Sequence, residues 1–197
     1  MKKLLILFFI LSLTSYSQDN IQRVEVIKTN TQIEEFSNKI GKNEFKVDFL
    51  DLLVFPALSV GYEKVNNSST AFGSTLFLNL GGNDSDWNDN FAITPYYRFY
   101  FLESEDYGGY GIFAEIFTKF AFGDAEKYNE TSNTYDEDNY FDMALGLAVG
   151  KKWINRNGYT FELLLGVGRN LLYDDSTDSF DRSAASGRAN ISIGKRF

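Results

Sequence analysis

The residues from Phe141 to Gly150 read FDMALGLAVG, and they alternate strictly between two kinds of side chain. Large apolar residues hold every odd position, while Asp142 and a series of Ala and Gly hold the even ones. A period of two is the pattern of a β-strand, because successive side chains point to opposite faces of a sheet. This stretch therefore predicts a strand with one bulky apolar face and one small face that carries an isolated charge.

The same period runs from Glu44 to the end of the chain at Phe197. The composition agrees, because 19 Phe and 12 Tyr with only 2 Pro in 197 residues favour strands. Most predicted segments exceed the usual strand of about 5–6 residues and suit a tilted membrane span of about 9–11. The eight predicted segments are Glu44–Val54, Ala57–Lys64, Ser69–Leu80, Asn90–Phe101, Tyr110–Phe122, Tyr140–Trp153, Tyr159–Leu171 and Ala185–Phe197.

Two kinds of barrel share this pattern, and they differ in which face points inward. A soluble lipocalin-like barrel holds its large apolar face inward, whereas a membrane barrel turns that face outward to lipid. Small residues with isolated charges suit a narrow interior, and the opposite face lacks charge over its middle, as lipid requires. The sequence favours an all-β, eight-stranded antiparallel up-and-down transmembrane β-barrel, closed because no sheet edge can stay unpaired in lipid.

The connections between the segments alternate between short and long. Outer-membrane barrels have short periplasmic turns and longer external loops, so the alternation supports the same fold. The first external connection, near Phe55-Pro56, is the exception and is predicted to be short. The shorter set is Val65–Ser68, Leu102–Gly109 and Asn155–Gly158, and the longer, polar set is Gly81–Asp89, Gly123–Asp138 and Tyr173–Ser183.

The N-terminus predicts export from the cytoplasm. A positively charged start precedes an apolar core from Leu4 to Leu13, and Ser15-Tyr16-Ser17 supplies small residues before a cleavage at Gln18. A transmembrane helix is the alternative, but the apolar run is about half of the ~20 residues that a span needs. The predicted organisation is a signal peptide (1–17), a periplasmic N-terminal lead-in (18–43) and an outer-membrane β-barrel (44–197).

Several stretches resemble a family of small, uncharacterised bacterial outer-membrane β-barrel proteins with an OmpX- and OmpA-like architecture. The resemblance covers roughly Glu44 to Phe197, and it implies the fold and the location but no activity, cofactor or catalytic residue. The stretches that carry it are LSVGYE (Leu58–Glu63), ITPYYR (Ile93–Arg98), ALGLAVGKKW (Ala144–Trp153), GVGRNL (Gly166–Leu171) and the ending GKRF (Gly194–Phe197).

The predicted inward face holds five acids and six bases. Charges inside a narrow barrel must be paired, so we expect an ion-pair network and a plugged lumen. A proton or ion path through the same charges is the alternative. The expected network comprises Lys46, Asp48, Glu63, Arg98, Glu115, Lys119, Asp142, Lys152, Glu162, Arg188 and Arg196.

The long predicted loops are acidic, and the last of them contains Asp174, Asp175 and Asp178. Carboxylate oxygens suit Ca²⁺ or Mg²⁺, so these residues are weak candidates for a divalent cation site. The spacing fits no EF-hand loop, and solvated loop tips are the plainer interpretation.

The chain ends on alternating apolar residues, Ile191 and Ile193, followed by a terminal Phe197. This pattern looks like the signal read by the outer-membrane assembly machinery, although Lys195 places a polar residue within it. An ordinary final strand is the alternative.

Composition also narrows the function. The chain contains no Cys and no His, so we expect no enzyme and no cofactor, and its net charge of −8 argues against nucleic acid. The expected partners are outer-membrane lipid, lipopolysaccharide and the barrel assembly machinery, with the protein as a monomer. A structural or surface-interaction role leads, and a narrow channel for small solutes or a soluble periplasmic lipocalin-like binder are the alternatives.

Overall fold

A computed structural model describes residues 40–54, 56–81, 89–101, 108–129, 134–173 and 183–197. Each strand pairs antiparallel with the next along the chain, and β1 pairs with β8 to close the barrel. The predicted all-β, eight-stranded antiparallel up-and-down barrel is therefore confirmed. The strands are β1 (Asn43–Asp48), β2 (Ala57–Val65), β3 (Thr70–Asn79), β4 (Asp89–Phe101), β5 (Gly111–Asn129), β6 (Thr134–Ile154), β7 (Tyr159–Asn170) and β8 (Ala185–Arg196), with helix α1 (Phe49–Val54) between β1 and β2.

The two faces of the wall separate as the alternation requires. On β6, Leu147 is 66% exposed on the outside, whereas its neighbours Ala148 and Gly146 are buried inside. Inward positions carry small residues, charges and a few aromatic rings, and outward positions carry large apolar side chains. The interior is thus the polar side of the wall.

The barrel has two distinguishable ends. Both Asn43 and Phe197 lie at one of them, the near end, where the main-chain N–H of each donates to the carbonyl oxygen of the other at 3.0 and 2.7 Å. The opposite end, the far end, carries α1 and the connections that follow β3, β5 and β7. Among the described residues, no helix is long and apolar enough to cross a membrane.

The first predicted strand, Glu44–Val54, is wrong in its second half. The strand ends at Asp48, whose carboxylate accepts the main-chain N–H groups of Leu50 at 2.7 Å and Asp51 at 3.3 Å and so caps a helix. The residues from Phe49 onward read FLDLLV, in which apolar side chains stand next to one another rather than alternating with polar ones. The expected short connection near Phe55-Pro56 is consequently preceded by α1.

The predicted loop Gly123–Asp138 is also wrong in large part. Strand β5 continues to Asn129 and β6 begins at Thr134, so the two strands pair from Gly123↔Tyr140 to Asn129↔Thr134. The other strand ends differ from the predicted ones by a few residues.

Glycines on β6 make room for aromatic rings of the neighbouring strand β5. A Cβ atom at Gly146 would overlap the ring of Phe117 and would lie 2.6 Å from the main-chain oxygen of Val167. Gly150 stands in the same relation to Phe113. Phe113 and Phe117 are both almost fully buried, so the absent side chains on β6 provide the space that these rings fill.

Gly146→Ala should destabilise the barrel by about 1–3 kcal/mol, because the new methyl group meets both a packed ring and main chain. Gly187→Ala is the matched control, since a Cβ there would meet no atom within 4 Å, and it should change stability by less than about 0.5 kcal/mol. Urea titration of the purified variants in mild detergent measures both values. Equal stability of the two variants would contradict the tight packing described for the interior.

Candidate functional site

Charged side chains from seven of the eight strands meet inside the near half of the barrel. We call this set the lumen network; it holds four carboxylates and four cationic groups, so its net charge is zero. Each member occupies an inward position of the alternation, which is why the wall aims them at one another. The members are Glu44, Lys46, Glu63, Arg98, Glu115, Lys152, Glu162 and Arg188.

Arg98 on β4 is the central cation of the lumen network. Its Nε donates to Glu115 at 2.6 Å, and its Nη1 lies 2.6 Å from oxygens of both Glu63 and Glu162. A second bond, from Nη2 to Glu162 at 2.8 Å, makes that pair bidentate. Arg98 thus ties β4 to β2, β5 and β7 with a side chain that is fully buried.

Glu63 on β2 is the central acid. It accepts hydrogen bonds from Arg98, from Lys152 Nζ at 2.6 Å, and from the hydroxyl groups of Tyr100 at 2.9 Å and Tyr96 at 3.2 Å. Both of its oxygens are therefore satisfied by groups from β4 and β6. A buried carboxylate with this many donors stays charged without being isolated.

The two lysines complete the network across the lumen. Lys46 on β1 donates to both oxygens of Glu162 at 2.9 and 3.2 Å. Lys152 donates to Glu44 at 3.0 Å, and the other oxygen of Glu44 accepts the Thr160 hydroxyl at 3.0 Å. These bonds join β1 to β6 and β7, although β1 is hydrogen-bonded as a strand only to β2 and β8.

Aromatic rings line the spaces between the charges. The Arg98 guanidinium carbon lies 4.4 Å from the centre of the Tyr96 ring and 4.2 Å from that of Phe113. Arg188 lies between Tyr96 and Phe117 at 5.3 and 5.2 Å, and its Nη1 is 2.7 Å from Glu115. The rings attract the cations and exclude water from the ion pairs.

The packing around the lumen network leaves almost no free space. The cavity between Lys46, Glu162 and Arg188 measures about 10 Å³, which is room for about one water molecule. Below the network, Arg196 donates to the main-chain oxygens of Gly41 at 2.9 Å and Gly108 at 2.6 Å. The near half of the barrel is filled by these side chains.

The far half contains a larger cavity of about 90 Å³, which we call the far-end chamber. On one side, the Ser59 hydroxyl donates to Asp51 of α1 at 2.5 Å. On another side, Lys119 donates to Asp89, so these two opposite charges are paired. The lining of the far-end chamber is partly polar and partly apolar, and it includes Ala92, Thr94, Phe117, Ser186 and Arg188.

The structure distributes the eleven sequence-predicted lumen residues over both halves. Seven of them lie in the lumen network: Lys46, Glu63, Arg98, Glu115, Lys152, Glu162 and Arg188. The other four lie elsewhere inside the barrel. Lys119 lies beside Asp89, and Arg196 lies at the near end. Asp48 lies at the start of α1 and accepts hydrogen bonds from Asn190 and Ser192, while Asp142 accepts them from the main-chain N–H groups of Met143 and Leu172.

Sequence reasoning missed Glu44, Asp51 and Asp89. Glu44 lies two residues before Lys46, so the strict alternation of β1 was a signal that placed it inside. The sequence predicts a strand at Asp51, where the structure has α1, and a loop at Asp89, where β4 begins. The alternation of side chains gave no indication that Asp51 and Asp89 face the interior.

The remaining predicted sites lie outside the lumen. Ile191, Ile193 and Phe197 are exposed on the outer face of the last strand and its end. Asp174, Asp175 and Asp178 fall outside the described residues, as do the predicted signal peptide and most of the predicted lead-in. Among the residues that are described, no group of three or more Asp or Glu side chains is placed to hold a metal ion.

Arg98→Ala should cost about 3–5 kcal/mol of stability, because it leaves Glu63, Glu115 and Glu162 without their shared cation. Arg98→Lys keeps the charge but has no planar fork to reach three acids, so its loss should be intermediate. Arg169→Ala, which removes an exposed arginine on β7, is the control and should have little effect. Urea unfolding in detergent measures all three, and equal losses for Arg98→Ala and Arg169→Ala would contradict the central role of Arg98.

Comparison with known proteins gives no match to this chain among family models, curated proteins or solved structures. Function is therefore inferred from the barrel's own residues.

Proposed function

We propose that the protein is an exported outer-membrane β-barrel whose lumen is closed to solutes and which acts through its outer surface, as a structural or surface-interaction protein. The observation that carries the proposal is the orientation of the wall, with apolar side chains outside and charges inside. This is the reverse of a soluble lipocalin-like barrel, which holds its apolar face inward. The signal-peptide pattern over residues 1–17 agrees with export.

The outer face has the features of a lipid-facing belt. On β6 the outward residues from Phe141 to Val149 are all apolar, and the first outward charge toward the near end is Lys151. A run of this length matches the ~9–11 residues that a tilted strand needs to cross a membrane. Lys64 on β2 and Lys195 on β8 also face outward near the same end, which places charges at one edge of the belt.

Aromatic rings gather at both edges of the belt. Toward the far end, Phe122 lies 6.1 Å from Phe91 and 4.9 Å from Phe141 between ring centres, across three neighbouring strands. Toward the near end, Trp153 and Phe161 lie 5.5 Å apart. Aromatic side chains favour the boundary between lipid and water, so these positions support a membrane lying between the two groups.

The filled near half favours a closed lumen over a narrow channel. A solute entering from the far end would meet the lumen network, where the free cavity is about 10 Å³. Moving these side chains aside would break buried ion pairs and leave their charges unpaired, which is costly. A role on the outer surface is therefore favoured over transport.

A two-stranded ribbon at the far end is the best candidate for that outer surface. Residues 124–129 of β5 pair with residues 134–139 of β6, beyond the last pairs that β4 and β7 make with them, at Gly123 and Ala144. The ribbon extends about 20 Å at ~3.3 Å per residue, and its main-chain edges have no strand beside them within the described part of the chain. Such edges accept an added strand, and the acidic sequence of the ribbon, with Lys127 as its one base, favours a basic partner.

The full chain should sediment with membranes and migrate differently on gels with and without boiling. In planar bilayers the purified protein should give no large steady conductance, whereas a wide-pore barrel in the same bilayer serves as the positive control. Recovery in the soluble periplasmic fraction with a single gel mobility would instead favour the lipocalin-like binder. Steady channel openings from the pure protein would contradict the closed lumen.

Replacing residues 125–138 by an Asn-Gly turn should remove the ribbon and leave the barrel folded, because the closed wall lies outside that segment. A fluorescent peptide of alternating Lys and Val should bind the full chain, bind less as salt is raised, and lose binding to the shortened chain. A peptide of alternating Glu and Val is the control. If both peptides bind equally, or if the shortened chain binds as well as the full one, the ribbon is not the interaction surface.

A further inference from the structure

The far-end chamber contains more acceptor capacity than its own residues use. Thr94 and Ser186 are both at least nine-tenths buried and face this cavity, and neither hydroxyl has a hydrogen-bond partner among the described residues. A hydroxyl group held in a cavity without a partner costs free energy unless something in the cavity bonds to it. These two hydroxyl groups are therefore available to bond to a molecule that occupies the cavity.

The same region has surplus negative charge. The Lys119–Asp89 pair is neutral, and Arg188 is already paired with Glu115. Asp51 accepts a hydrogen bond from Ser59, but no Lys or Arg nitrogen in the described part of the chain lies within 4.0 Å of it, and the same holds for neighbouring Asp48. Asp48 accepts four hydrogen bonds, from Leu50, Asp51, Asn190 and Ser192, so Asp51 is the carboxylate of the chamber that favours a positively charged occupant.

The size and lining of the far-end chamber limit which kind of cation it can bind. Its volume of about 90 Å³ is several times that of the 10 Å³ cavity that has room for about one water molecule, so it fits an ammonium group and its first carbons. An ammonium group has three N–H donors, and Asp51, Thr94 and Ser186 offer a carboxylate and two hydroxyl acceptors. The ring of Phe117 in the same lining suits the attached carbons and the charge.

The barrel wall beside the chamber is incomplete as a sheet. Strand β1 ends at Asp48, so β8 has no strand beside residues 185–191 on that side, and β2 has none beside residues 57–59. Helix α1 fills the opening, with Asp51 toward the chamber and Leu53, 75% exposed, toward the outside. A hydrogen bond between Asp51 and Ser59 is the polar side-chain contact that ties α1 to β2.

We propose that the far-end chamber binds the ammonium head of a primary amine. The amine can be a small soluble one that enters from the far end, or it can be the headgroup of a lipid whose chains lie outside α1. The binding site does not depend on the protein's being in a membrane, whereas the second route rests on the proposed function above.

The test is amide NMR of the full chain in octyl glucoside micelles, which contain no amine. Two amines are titrated, ethanolamine and lysophosphatidylethanolamine, with ethylene glycol and lysophosphatidylglycerol as controls of matched shape and no ammonium group. Saturable shifts at Thr75, Thr94 and Ser186 with either amine, and none with the controls, are expected. Binding of both amines indicates entry from the far end, and binding of the lysolipid alone indicates entry past α1; both outcomes support the site.

Variants separate the chamber from nonspecific binding. Asp51→Asn should weaken amine binding by about tenfold or more, because it removes the charged acceptor. Ala92→Leu keeps Asp51 but fills the chamber, so it should abolish binding. Asp124→Asn makes the same charge change at the outer rim, where Asp124 is bonded to Asn90, and should bind as the parent does.

The amide spectrum of each variant reports whether it is folded, so a loss of binding is scored only on a folded barrel. The proposal is overturned if neither amine gives saturable shifts, if the controls without an ammonium group shift the same amides equally, or if Asp51→Asn and Ala92→Leu both bind as tightly as the parent.

Discussion

The width of an eight-stranded barrel governs the rest of this molecule. The interior is only as wide as its own side chains, so an inward charge must be paired by the side chains of the surrounding strands, both neighbouring and opposite. Arg98 meets this condition by reaching acids on β2, β5 and β7, and Glu63 meets it by accepting hydrogen bonds from side chains on β4 and β6. Glycines at positions 146 and 150 belong to the same constraint, because without them the rings beside Arg98 and Arg188 would have no room.

The two halves of the lumen use this width differently. In the near half, charges and rings fill the section and compensate one another, which gives a rigid and neutral plug. In the far half, β1 has already ended, a helix takes its place in the wall, and the charges of Asp48 and Asp51 have no cation beside them. A barrel with one filled half and one open half can hold something at its far end without passing it through.

Sequence alone predicted the parts of this structure that follow from a period of two. The pleat places every second side chain inside, so Arg98, Glu115 and Glu162 could be assigned to the lumen from spacing. Their pairing could not be predicted, because Arg98 lies 17, 35 and 64 residues from the acids that it contacts. Register between strands decides those distances, and the alternation does not contain it.

The two errors in the predicted elements also have physical causes. The run FLDLLV after Asp48 is apolar enough for a strand, and a carboxylate that caps two N–H groups turned it into a helix. The segment after Gly123 is polar enough for a loop, and pairing with its antiparallel neighbour made it a strand. The apolar or polar character of each segment was clear from its local composition, but contacts with the rest of the chain determined whether it formed a helix or a strand.

The long sequence separations across the lumen have a consequence for how the protein reaches this state. Lys46 and Glu162 are 116 residues apart, and Lys152 and Glu44 are 108 apart, so none of these bonds forms until the sheet has curled nearly into a ring. A half-assembled sheet gains nothing from them and must keep its inward charges hydrated. Folding of this kind has high contact order, so it is slow, and the interior dries only at the last step.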